Sequence, residues 1–256
     1  MVVQTNKNIK KCNILGVNIA ATNYKEVIEF ICQNIKSVSG NYICFSNVHT
    51  TIMSIEDEYY KRVQNSSLFS LPDGNPLANT AKRRGYATTS RITAPDFMGL
   101  IFEMSAKKGF KHYFYGSTPE TLELLKEKLN KNYPDMIIIG MYSPPFGPLT
   151  EDKDAAVVKM INDSDSDFVW IGLGAPKQER WMFEHKDKIK GLMLGVGAGF
   201  DYHAENIKRA PMWMQKASLE WFYRLMQEPK RLFGRYLSTN WKFIKLIRKE
   251  NKLAKS

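Results

Sequence analysis

Between residues 24 and 196 the chain alternates, almost without a break, between amphipathic stretches of helical period and short apolar runs. The helical pattern covers residues 24–38, 50–65, 76–84, 95–107, 119–132, 151–162 and 176–189. The apolar runs cover 42–46, 68–71, 112–115, 136–141, 168–172 and 192–196. Apolar runs this short, bounded by turn residues, read as buried strands. Strands separated by helices pair in parallel, because each crossover carries the chain back to the same end of the sheet. The pattern predicts an α/β fold: a single Rossmann-like domain whose mostly parallel sheet is covered by helices on both faces. No internal repeat or low-complexity linker interrupts it, and SPPFGP at 143–148 is the conspicuous long loop. A body of about 200 residues suffices for one core.

In an open parallel sheet, ligands bind beyond the carboxyl ends of the strands. That rule sorts the polar residues. Asn47 and His49 follow the strand at 42–46, Asp73 and Asn75 the strand at 68–71, and Gly116 and Ser117 the strand at 112–115. Tyr142 and Ser143 follow 136–141, Gly174 to Gln178 follow 168–172, and Gly197 to Asp201 follow 192–196. One rim therefore collects nearly every unusual polar or glycine cluster. Two glycine-rich turns stand out there, GLGAPKQE (172–179) and GVGAGFD (195–201). Gly172, Gly174 and Gly197 let backbone approach a ligand closely, and Pro176 opens a helix whose N–H groups suit a diphosphate. Neither turn fits a dinucleotide fingerprint, since Lys177 and Phe200 occupy the third glycine positions. Tight strand-to-helix packing explains either turn alone. Two on one rim, followed by Gln178 and Glu179 in one case and Asp201 in the other, favour nucleotide binding.

Asp73 lies in LPDGNP, directly after an apolar strand. An Asp-Gly pair in that position is either a turn, its carboxylate bonding local N–H groups, or a general base at the mouth of a site. His49 competes for the second role because imidazole titrates near neutral pH. DSDSD at 163–167 contains an Asp-x-Asp pattern of the metal-binding kind, but it precedes its strand and so falls at the opposite rim. It reads as a solvated turn, and no metal is expected.

Residues 208–256 hold 13 Lys and Arg against three Glu, +10 of the total charge of +11. The division predicts a near-neutral catalytic domain at 1–207 and a basic helical appendage at 208–256. Wound as a helix from Pro229, the tail gathers Leu232, Phe233, Tyr236, Phe243, Ile244 and Ile247 on one side. Arg231, Arg235, Lys242, Lys245 and Lys249 fall on the other, with Trp241 near the boundary. A basic amphipathic helix of this kind lies in the plane of an anionic membrane surface, each cation contributing about 1 kcal/mol. A helix half-buried on the body, or an oligomer contact, gives the same pattern. Nucleic acid fits poorly, since stacking aromatics would be mixed among the cations. No run reaches the roughly 18 apolar residues of a membrane span. The N-terminal stretch makes a poor signal peptide, and Cys12, Cys32 and Cys44 suggest neither a metal site nor a disulfide scaffold. The expected location is cytoplasmic, peripheral on the inner face of the plasma membrane.

These features resemble the WecG/TagA/CpsF glycosyltransferases of bacterial surface-polysaccharide synthesis. The resemblance rests on SNVHT (46–50), LPDGNPLANTAKRRG (71–85), RITAPDFM (91–98), WIGLGAPKQERWM (170–182), GVGAGFD, and KRAPMWMQKASLEWFYRLMQEPKRLFGRY (208–236). It implies inverting transfer from a UDP-sugar to a polyprenyl-diphosphate-linked sugar, without metal or other cofactor, in polysaccharide or teichoic acid synthesis. The sugar would be N-acetylmannosamine or a related hexose or aminosugar. Carried over by motif, Asp73 is the base that deprotonates the acceptor. Asn47 and Gln178 line the sugar-nucleotide pocket, with His49, Arg91, Asp96 and Glu179 among its neighbours. Asp201 faces the nucleoside and Tyr142 stacks on uracil. Arg224, Arg231 and Arg235, joined by Arg209, belong to an appendage that closes over the site and meets the lipid diphosphate. A homo-oligomer is compatible with the resemblance. A nucleotide-sugar hydrolase or epimerase, or a silent membrane-recruiting binding module, would use the same pocket and stay open at this point.

Overall fold

The computed structural model describes residues 9–217 and 219–253; within that range Lys216, Arg231, Arg235, Tyr236, Leu237 and Leu253 are described by backbone alone. The described chain runs β1 (Lys11–Ile14), β2 (Val17–Ala20), α1 (Tyr24–Asn34), β3 (Tyr42–Ser46), α2 (Val48–Glu56), α3 (Glu58–Asn65) and β4 (Phe69–Pro72). It continues through α4 (Asn75–Arg83), α5 (Ala94–Lys108), β5 (Lys111–Gly116), α6 (Pro119–Asn132), β6 (Ile137–Tyr142), α7 (Glu151–Asp163) and β7 (Phe168–Gly172). Last come α8 (Lys177–Glu184), β8 (Leu192–Gly195), α9 (Gly199–His203), α10 (Met212–Lys216), α11 (Glu220–Gln227) and α12 (Pro229–Leu253). The strands form one sheet in the order β1-β2-β4-β3-β8-β7-β5-β6, parallel except for the β1–β2 pair. The α/β architecture expected from the alternation is the one observed.

The β1–β2 hairpin has no counterpart in the periodicity reading. Its strands are four residues each, too short to register against a broken apolar stretch. Leu15 and Gly16, both at positive φ, make a two-residue turn that matches strand twist. Cys12, Ile14, Val17 and Ile19 then face inward. The single helix expected at 50–65 is two. Asp57 is extended (φ −133°, ψ 104°) and its carboxylate accepts the N–H of Tyr60, so it ends α2 and caps α3. The helices expected at 24–38 and 176–189 end earlier, at Asn34 and Glu184.

One face of the sheet is closed by α1, α5, α6 and α9, around a cluster that includes Phe97, Phe102, Phe114, Trp170 and Phe200. Phe102 meets Trp170 edge-on at 5.3 Å and Tyr133 at 5.4 Å; such pairs contribute about 0.5–1.5 kcal/mol beyond area burial. The other face packs α7 and α8 over Tyr42, Tyr115, Val169 and Met193. A third cluster joins the β1–β2 hairpin to α2, α4 and the tail, through Ile14, Ile52, Leu77, Phe243 and Ile247.

That third cluster corrects the reading of the tail helix. Phe243 and Ile247 are buried against the body and Leu232 is buried as well, while Phe233, Trp241 and Ile244 are exposed at 60%, 67% and 48%. At about 100° per residue the buried and exposed sets fall on separate stripes, so the apolar side expected as one surface is split in two. Lys242 pairs with Glu56 of the body, and Glu250 takes a 2.6 Å bond from Arg84. The exposed stripe borders Lys245, Arg248, Lys249 and Lys252.

Candidate active site

After β3 the chain runs through α2 to α3, which packs on α8 at one face of the sheet; after the neighbouring β8 it enters α9 at the other face. Adjacent strands whose continuations diverge leave a crevice at their carboxyl ends. Asn47 and the half-buried His49 border it from the β3 side. Asn47 caps α2, its side chain accepting the N–H of Thr50 at 3.2 Å while Thr50 Oγ1 accepts the N–H of Asn47 at 2.9 Å. This reciprocal cap locks the first turn of α2 at the rim.

Asp73 stands one strand further out. Its backbone N–H donates to Ser46 at 2.7 Å, extending the β4–β3 ladder one residue past the strand. Gly74 follows at φ 147°, a conformation open to glycine, and turns the chain into α4. Ile92 N–H bonds the carbonyl of Pro72 at 2.9 Å, which lays the segment carrying Arg91 alongside. The carboxyl of Asp73 is half-buried among charges of both signs. Burial pushes its pKa up to about 7, with Glu220 and Asp96 adding to the rise while Arg91 and Arg224 oppose it.

The charges form a connected cluster. Arg91 donates to Glu220, and Arg209 reaches the same carboxylate at 3.3 Å. Arg209 also holds Asp96 through both terminal nitrogens. Asp96 sits in the first turn of α5, capped by Thr93, whose hydroxyl donates to it at 2.7 Å. Burial works against its charged form, but the bonds from Arg209 and Thr93 outweigh it and hold the pKa below the ordinary carboxylate range. Arg224 donates to the Tyr202 hydroxyl at 3.1 Å, and the guanidiniums of Arg224 and Arg209 lie over the Tyr202 ring at 5.4 and 5.7 Å. Residues from the body (Asp73, Arg91, Asp96, Tyr202) and from the tail (Arg209, Glu220, Arg224) thus meet in one charge cluster.

Sequence reasoning missed Glu220 and Tyr202. The tyrosine follows directly on GAGFD, which was a usable signal; nothing in the local sequence distinguishes Glu220 from other helical glutamates. Arg231 and Arg235 were expected in the same group, but their side chains lie outside the described residues.

The glycine turns are joined from beneath. Gln178 Nε2 donates to the carbonyl of Gly195 at 2.9 Å and to Glu179 at 2.8 Å, and its Oε1 accepts the N–H of Gly174 at 3.2 Å. With 5% and 1% exposure, Gln178 and Glu179 are buried side by side and hold the two turns together. Burial pushes Glu179 up to about 7, and its Oε2 carries no hydrogen bond among the described residues. Gly172 is crowded: a Cβ there would stand 2.6 Å from the Phe200 ring. Gly174 and Gly197 take positive φ at 77° and 51°. Asp201, on α9, faces the rim half-buried and accepts from Asn206 at 3.4 Å.

Tyr142 is not brought to this group. It ends the edge strand β6, five strand spacings from Asp73, or about 24 Å at 4.8 Å per strand. Its ring lies against Tyr115 at 6.1 Å, on the face covered by α7 and α8. Position after a strand is legible in a sequence; lateral strand order is not. The Asp-rich turn at 163–167 lies before β7, at the rim opposite the recess, where Lys36 and Lys111 pair with Asp167 and Asp165.

The profile of the glycosyl transferase WecG/TagA/CpsF family matches residues 12–256. The chain is similar to the N-acetylglucosaminyldiphosphoundecaprenol N-acetyl-beta-D-mannosaminyltransferase of Bacillus subtilis (strain 168), with 32% identity over 247 residues, 95% of this chain and 92% of that one. It is similar also to proteins of the same name from Staphylococcus aureus strains MW2 and NCTC 8325 / PS 47, each 26% identical over 259 residues and covering both chains in full.

Proposed function

The chain belongs to the WecG/TagA/CpsF family and is a glycosyltransferase, and on that premise we propose that it moves N-acetylmannosamine from a UDP-sugar to N-acetylglucosamine carried on a polyprenyl diphosphate, with inversion. The donor sugar and acceptor follow the names of the relatives, and the product would serve teichoic acid or related cell-wall synthesis. The observation that carries the reading is Asp73 within reach of the charges of Arg91 and Arg224, with Arg91 tied through Glu220 to Arg209.

Inverting transfer is one displacement: the acceptor oxygen forms a bond to the anomeric carbon as the bond to the diphosphate breaks. The base takes the hydroxyl proton, and the departing UDP takes the bonding pair. A carboxylate titrating at about 7 is matched to the first task at neutral pH. Guanidiniums suit the second, since their planar forks bond two phosphate oxygens at once. Such preorganised donors supply about 3–4 kcal/mol each in comparable acyl-transfer sites. Asn47 and His49 follow β3 and Asp201 follows the neighbouring β8, so all three are proposed to meet the sugar and nucleoside at the carboxyl end of the sheet. Gly172, Gly174 and Gly197 would keep backbone close to the nucleotide. Arg231 and Arg235 remain proposed contacts of the lipid diphosphate.

For the appendage at residues 208–256, peripheral attachment to an anionic membrane surface is the reading supported by exposed Trp241 and Ile244 beside Lys245, Arg248, Lys249 and Lys252, and by the further exposed side chains Met212, Trp213, Trp221 and Phe233. Among the described residues no helix is long and apolar enough to cross a membrane. Attachment would occur on the cytoplasmic face, and assembly as a homo-oligomer is compatible with it.

The test is UDP release across a panel of UDP-sugars, with and without a short-chain lipid-diphosphate N-acetylglucosamine analogue. Acceptor-dependent release with UDP-N-acetylmannosamine is expected. Equal release without acceptor would replace the reading with a hydrolase, and no release with any donor would replace it with a binding module.

A further inference from the structure

Arg91 and Arg209 reach the recess from opposite directions, one from the body beside Asp73 and the other from the tail. What holds them together is a carboxylate from a third place, Glu220 in the first turn of α11. The two arginines are held unequally. Arg209 has a second carboxylate partner in Asp96, whereas Glu220 is the hydrogen-bond acceptor of Arg91 among the described residues. The cluster also has donor capacity left over. Nε of Arg209 and Nε of Arg224 are buried and bond no acceptor among the described residues. Buried guanidinium donors without acceptors are uncommon, and each leaves an N–H able to bond one further oxygen.

We propose that Glu220 is an internal placeholder for the diphosphate, occupying the anion position between Arg91 and Arg209 until phosphate oxygens displace it. The proposal deepens the transferase reading and rests on it for the identity of the nucleotide. A diphosphate entering between Arg91 and Arg209 would meet the Glu220 carboxylate as a like charge a few ångströms away in partly desolvated surroundings, so the two compete for the same N–H groups. The exchange replaces one charge-assisted set of bonds with another, so it is feasible without a large net cost. Asp96 keeps Arg209 aimed at the recess throughout, and Glu220 is the partner that leaves. Because Glu220 opens α11, its release also loosens the tie between that helix and Arg91. A purely structural clamp would have no reason to oppose anion binding, whereas a placeholder competes with it.

The experiment is calorimetric titration of the full-length chain and of Glu220→Gln with UDP, uridine and inorganic pyrophosphate. Hydrogen exchange of residues 220–227 in the free proteins is read alongside. Removing the competing charge is expected to tighten UDP and pyrophosphate about tenfold, leave uridine unchanged and speed exchange in α11. Should the Gln variant fail to fold, Glu220→Asp, one methylene shorter, is expected to tighten both phosphates by a smaller factor. Unchanged or weaker phosphate binding in a folded variant overturns the proposal, as does an equal gain for uridine. Pyrophosphate binding that tightens while UDP does not bind at all would support the placeholder and remove the nucleotide reading. Absence of pyrophosphate binding in both proteins overturns the placeholder itself.

Discussion

Ile92 donates its backbone N–H to Pro72 at 2.9 Å, and this bond is what sets Arg91 alongside Asp73. The two residues come from a strand end and from the loop before α5, so neither helix packing nor strand pairing alone would bring them together. Their adjacency puts a candidate base and a candidate phosphate ligand in one recess.

Replacing Asp73 with Asn keeps the shape and removes the base. Acceptor-dependent UDP release is expected to fall by roughly 10²–10⁴-fold, with the thermal midpoint changed by no more than a few degrees. A folded variant with wild-type turnover would transfer the role to another group, His49 first.

The titration of Asp73 carries its own signature. A base works in its ionised form, so kcat/KM should rise with pH along an acid limb centred at about 7. An acid limb centred near 4, the ordinary carboxylate value, would contradict the buried setting described above.

Glu179 gives a prediction about stability instead of activity. Its folded pKa, at about 7, stands above the usual 4.5, so between those values the native state holds a proton that the unfolded chain has lost. Stability from this group is therefore present at low pH, declines as pH rises through that window, and levels off above it. Glu179→Gln mimics the protonated form and should remove a decline on the order of 3 kcal/mol between pH 5 and 8. Denaturant midpoints of both proteins at the two pH values measure it; parallel pH dependence would refute the assignment.

The two stripes of α12 should separate under mutation. Phe243→Ala empties a buried site and is expected to cost about 3–5 kcal/mol. Trp241→Ala, at an exposed position, should change stability by less than about 0.5 kcal/mol yet weaken binding to anionic vesicles. Unchanged vesicle binding in Trp241→Ala would remove that stripe from the proposed membrane surface.

Arg91→Lys keeps the charge and loses the fork. A drop of roughly 10–100-fold in kcat/KM is expected in the UDP-release assay. Full activity with Lys would mean that a point charge suffices at that position.

Much of this molecule was legible in its residues because much of it is set by local rules. Alternation of helical and strand periods, glycine at tight turns and a proline at the head of α12 act over a few residues, so they survive reading without coordinates. So did the rim: Asp73, Asn47 and Asp201 stand at one end of the sheet because residues that follow a parallel strand must lie at its carboxyl end. The β1–β2 hairpin escaped because four-residue strands carry too little pattern.

What the chain's order of residues determined by itself was the sheet-and-helix alternation, the end of the sheet at which the polar and glycine clusters gather, and the concentration of positive charge in the tail. Tertiary structure decided the rest: that β6 stands far from β4, which parts Tyr142 from Asp73; that one stripe of α12 is core and another is surface; and that Glu220 meets Arg91 across 129 residues. The physical reason is the range of the forces involved. Backbone periodicity and turn chemistry are nearest-neighbour effects written into the sequence, whereas strand order, helix docking and ion pairing between distant segments depend on which surfaces fit when the whole chain closes on itself.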